Sequence, residues 1–99
     1  MSKIQAWFVP VEGEPESVTF DMGDNILGQV SKRYFNGETL DLTKVRYKGR
    51  LCHMAVDDEG VCKGLPSNPI ATTAYLANCY PGTVYSICGP AVIFGGLLP

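Results

Sequence analysis

The chain is poor in several features that mark particular protein classes. It holds one histidine, one tryptophan and no C-x-x-C pair in 99 residues. The missing pair removes the spacing of a zinc knuckle or a thioredoxin-type redox site. No apolar run approaches the roughly 20 residues a membrane-spanning helix needs. The start, Met1-Ser2-Lys3-Ile4, lacks the long apolar stretch of a secretory signal, so the expectation is a cytoplasmic protein. The four cysteines, Cys52, Cys62, Cys79 and Cys88, are then expected to stay reduced and to behave as small apolar residues. No phosphate loop or dinucleotide fingerprint is present, because the glycines of 89–96 do not open a helix. No cofactor or metal is expected.

What is there is the composition of one globular domain, with 45% hydrophobic and 18% charged residues. We take residues 1–99 as a single domain with one core. The net charge of −2 disfavours a general nucleic-acid binder. Charge is unevenly spread. Residues 1–31 carry Lys3 against five carboxylates, whereas 32–50 carry six basic residues (Lys32, Arg33, Lys44, Arg46, Lys48, Arg50) against Glu38 and Asp41. This basic middle suits a small anion or an acidic partner. A solvated face offset by the acidic N-terminal third is the plainer explanation.

Residues 3–11 alternate as a strand that Pro10 ends or confines to an edge. Residues 17–21 pair with it as a hairpin. Residues 24–35 carry an apolar stripe at helical spacing, with Asp24 as N-cap and Asn36-Gly37 as stop. Residues 39–47 and 51–56 form a second hairpin turned at Lys48-Gly49. Asp57-Asp58-Glu59-Gly60 is an acidic turn in which Gly60 suits a positive φ, and 61–66 reads as extended. Asn68 and Pro69 fit the N-cap and first position of a helix running to about Cys79. Residues 84–94 are strand-like, broken at Gly89-Pro90 and followed by a loose apolar end. The sum is an α+β fold with a mostly antiparallel sheet of about five to seven strands and two helices.

Chemistry-bearing patterns are sparse. Cys52 and His53 are adjacent, so on a strand they point to opposite faces and cannot form a nucleophile–base pair. The acidic triplet 57–59 lacks the further oxygen ligands of a calcium loop. The strongest local feature is 64–73. A helix N-terminus gathers unpaired N–H groups and can hold an anion, and Lys63, Ser67, Asn68 and Thr72 surround it. A well-capped helix start explains Asn68 and Pro69 equally well.

Asp58-Glu59-Gly60, then Gly64-Leu65-Pro66-x-Asn68-x-x-Ala71-Thr72, then Gly89-x-x-Val92-x-x-Gly95 resembles a family of small domains of unknown function. These occur in bacteriophages, plasmids, actinobacteria and large algal viruses. The resemblance covers about residues 55–96; the N-terminal half fits loosely, and Cys62, Cys79 and Cys88 lie outside the pattern. It implies a viral or mobile-element accessory protein acting in the host cytoplasm, with no settled activity to carry over.

Three functions follow as expectations. The first is non-enzymatic capture of a small anionic, nucleotide-derived ligand in host counter-defence. Lys63, Ser67, Asn68 and Thr72 would bind it, Arg46 and Arg50 would supply charge, and Tyr47 or Tyr75 would stack a base. The apolar end from Val92 to Leu98 would suit a homo-oligomer contact. The second is an interaction module that binds or inhibits a host protein through a strand edge or a patch. The third, a small nucleotide hydrolase using His53, ranks last.

Overall fold

The alternating and helical periods build the elements they predict. A computed structural model describes residues 2–23 and 25–98. In chain order the elements are β1 (Lys3–Val9), β2 (Glu16–Asp21), α1 (Ile26–Tyr34), β3 (Leu40–Tyr47), β4 (Arg50–Asp57), α2 (Pro69–Leu76) and β5 (Ala91–Phe94). The strands form one five-stranded antiparallel sheet in the order β2-β1-β5-β4-β3. The fold is α+β, with two helices on one sheet.

Strand alternation sends side chains to two faces, and each face has its own helix. Val45 of β3, Cys52, Met54 and Val56 of β4, and Ala91 and Ile93 of β5 pack with Ala71 and Ala74 of α2. Ala6, Val18, Phe20, Ala55, Val92 and Phe94 pack on the other face with Val30 of α1 and with Phe35. The central strand β5 is covered on both faces, which is why all four of its residues are buried.

Turn chemistry fixes the register of the second hairpin. Lys48 and Gly49 have φ of 53° and 75°, the two left-handed residues that a two-residue type I′ turn requires. Asn36 and Gly37 also take positive φ just after α1, as its stop signal predicts.

Five local expectations need restating. The proposed N-cap Asp24 lies outside the described residues; the Asn25 side chain caps α1, accepting from the Gly28 N–H. Residues 61–64 are successive turns, closed by Lys63 N–H to Glu59 O and Leu65 N–H to Gly60 O. α2 ends at Leu76, before Cys79. Residues 84–90 form no strand beyond a single bridge between Ser67 and Cys88. Gly60 is not among the positive-φ residues. It is buried, and a Cβ there would meet the Cys88 carbonyl oxygen at 2.5 Å. Close backbone approach, not turn conformation, requires this glycine.

Candidate functional site

The start of α2 is built around one buried side chain. Asn68 is fully buried. Its Oδ1 accepts from the Ala71 N–H at 3.1 Å, and its Nδ2 donates to the carbonyls of Val9 and Gly89, both at 3.0 Å. Its own N–H reaches Ile87 O at 2.8 Å, and its carbonyl accepts from Thr72 N–H at 2.9 Å. Asn68 therefore joins α2, β1 and the segment leading to β5, and every polar group it carries has a partner inside the fold.

Its neighbours are engaged in the same way. Thr72 Oγ1 accepts from the Ile87 N–H at 2.9 Å. The hydroxyls of Ser67 and Ser86 lie 2.6 Å apart. Lys63 pairs with Asp57 at 2.9 Å and with Glu38 at 3.4 Å. Burial alone would raise the Asp57 carboxyl, but hydrogen bonds from the Lys63 ammonium and the Glu59 N–H outweigh it and hold the pKa below the ordinary value. Tyr75 stands 5.3 Å from Tyr85, centroid to centroid, and burial foremost pushes its phenol up.

The two arginines have different settings. Arg50 donates to Gly95 O at 2.9 Å. Arg46 alternates with Val45 and Tyr47, which pack on the α2 side, so its side chain leaves β3 on the α1 side, while the residue also borders the groove between β3 and α2. The seven residues singled out in the sequence thus divide. Ser67, Asn68 and Thr72 gather at the start of α2, Tyr75 is one helical turn on, Arg46 borders a groove that Pro69, Ile70 and Thr73 also line, and Lys63 and Arg50 stand in their own settings.

The histidine and cysteines also separate. The Cys52 thiol lies in the α2-side core and is pushed up by burial, with Arg50 opposing. His53 projects to the other face, where its Nδ1 accepts the Leu98 N–H at 2.7 Å; burial first, and then Lys44, lower its pKa. Among the described residues no group of three or more His, Cys, Asp or Glu side chains is placed to hold a metal ion. No described helix is long and apolar enough to cross a membrane.

Two surface features escaped sequence reasoning. The loop from 77 to 86 exposes large side chains: Val84 is 95% exposed, Tyr80 89% and Tyr85 50%. Reading 84–94 as strand hid them, although Pro81-Gly82 beside a tyrosine was a usable signal of a protruding turn. The second feature is a groove of about 360 Å³ between the end of β3 and α2, lined by Arg46, Tyr47, Lys48, Ile70, Thr73 and Ala77 among others. Beside it the Lys48 ammonium sits 5.1 Å from the Trp7 ring and 5.7 Å from the Tyr47 ring, and those rings meet edge-on.

No family model matches the chain, and neither does any curated protein or solved structure.

Proposed function

We propose that this chain is a protein-interaction module that engages a partner polypeptide through the loop at 77–86. The observation that carries the reading is the exposure of Tyr80, Val84 and Tyr85 on one loop. Tyrosine is enriched among interface residues that dominate binding, and burying a large apolar side chain contributes about 1.5–3 kcal/mol. Three such residues within six positions are a costly surface to leave in water and a sufficient anchor for a partner. Capture of a small anion at the start of α2 is the weaker reading, because Asn68, Thr72 and Lys63 already have partners within the chain.

The test places the photo-crosslinker benzoylphenylalanine at position 80 and, as a control, at the exposed position 12. A discrete crosslinked heterologous polypeptide from position 80 alone is the expected result. A crosslinked dimer of the chain itself would reassign the loop to self-association. No discrete product, or the same product from position 12, would overturn the reading.

A further inference from the structure

The sheet has two edges, and the structure treats them differently. The β2 edge is closed by α1. Gln29 donates to Asp21 O at 3.1 Å and accepts from Asp21 N–H at 3.2 Å, while Arg33 donates to Thr19 O at 3.2 Å. Among the described residues the β3 edge is held at one position and open along the rest. In an antiparallel strand the backbone groups of alternate residues point away from the partner strand. Thr39 O accepts from Asp58 N–H on the β4 side, and Lys44 O faces outward to Asn78, so the outward set is Leu40, Leu42, Lys44 and Arg46. Among the described residues, the only side-chain contact to these outward groups is Asn78 Nδ2 to Lys44 O, at a long 3.5 Å.

The side chains along this edge differ by face. On the α1 side are exposed Lys44 and Arg46, neither in an ion pair among the described residues. On the α2 side the groove beside Tyr47 and Ile70 offers an apolar floor. A second copy of β3 is a poor occupant, because antiparallel pairing would set Lys44 and Arg46 against their own kind. Basic residues on an edge discourage such self-pairing, and the same charges favour an acidic strand.

We propose that the free edge of β3 docks an acidic, extended polypeptide segment, which adds as a sixth strand. Its carboxylates lie beside Lys44 and Arg46, and its alternate apolar side chains lie over the groove between Tyr47 and Ile70. Main-chain hydrogen bonds supply affinity in this mode, and the two faces supply specificity. The proposal goes beyond the loop reading: the surface is a strand edge, and its test does not depend on Tyr80.

The probe is a synthetic peptide of alternating valine and glutamate, eight residues long to match β3. Binding is followed by NMR of the intact chain, with the peptide raised to about 1 mM. The expected result is saturable binding, with the largest shifts at the amides of Leu42, Lys44 and Arg46. The joint substitution Lys44→Glu and Arg46→Glu should weaken it at least about fourfold, since each reversal removes an attraction to a facing glutamate and puts a repulsion in its place. A peptide N-methylated on its β3-facing amides should not bind, a control that leaves the protein unaltered. Tyr80→Ala should leave peptide binding unchanged, which separates failure of this proposal from failure of the loop reading. Absence of binding, equal binding of a peptide of the same length alternating valine and lysine, equal binding of the N-methylated peptide, or shifts centred off β3 would each overturn the proposal.

Discussion

Replacing Asn68 with alanine should be among the most damaging single changes available to this chain. Three interactions vanish together. The cap on the Ala71 N–H is lost, at about 1 kcal/mol. The carbonyls of Val9 and Gly89 lose a donor, and each buried acceptor left without a partner costs about 1–3 kcal/mol. Alanine cannot fill the space, so the expected total is about 3–7 kcal/mol, against the roughly 5–15 kcal/mol of a typical domain. Urea denaturation is the direct assay. With a slope near 2 kcal/mol/M, the midpoint should fall by about 2 M or more, and Tm by at least on the order of 15 °C. Asn68→Asp sharpens the argument. It keeps an acceptor for Ala71 but sets a buried carboxylate against two carbonyls. Its pKa must rise, so this variant should gain stability relative to wild type as pH falls towards 4. Ser67→Ala, by contrast, removes an exposed hydroxyl contact and should cost under about 1 kcal/mol. An Asn68→Ala protein within about 0.5 kcal/mol of wild type would refute the structural role given to this residue.

His53 should make stability fall as pH drops below about 6.5, the unfolded value for histidine. Its Nδ1 must be unprotonated to accept the Leu98 N–H, and its folded pKa lies below the ordinary value. A depressed pKa means the stabilisation is fully present above the unfolded pKa of about 6.5 and is lost as pH falls through the folded one. Urea midpoints at pH 7.5 and 5 should differ in wild type, and the difference should shrink in His53→Gln; a wild-type midpoint that is flat over this range contradicts the assignment. Gly60→Ala should destabilise by about 1–3 kcal/mol through collision with the Cys88 carbonyl, whereas a positive-φ glycine elsewhere would reveal a backbone-strain cost instead. Thermal unfolding of Gly60→Ala checks this, and an unchanged Tm would mean that the 57–60 turn and the 86–89 segment do not approach closely.

Much of the fold was legible because its causes are local. Lys48-Gly49 between two alternating runs predicts a type I′ hairpin, and both residues adopt the required positive φ. Asn68-Pro69 predicts a helix start, and Asn68 caps it. Opposite faces for Cys52 and His53 follow from alternation alone, and the structure separates them so. The expected α+β class follows from the same short-range periods.

The rest depended on contacts across long stretches of chain. Sequence read Asn68 as a cap or an anion ligand; its burial, and its bond to Val9, 59 positions away, needed the assembled sheet. Proximity in sequence placed Lys63 beside the start of α2, but Asp57 and Glu38 hold its ammonium. Arg46 leaves β3 on the face opposite Val45 and Tyr47 yet borders the groove against α2; strand parity is local, but the position of α2 is not. Strand order was equally hidden. β5 inserts between β1 and β4, so β2 and β3 become the edges. The basic residues of β3 were visible in the sequence from the start. That they flank an open edge, while α1 seals the other, was decided by tertiary pairing, because backbone hydrogen bonds record which strands meet and carry no trace in the order of side chains.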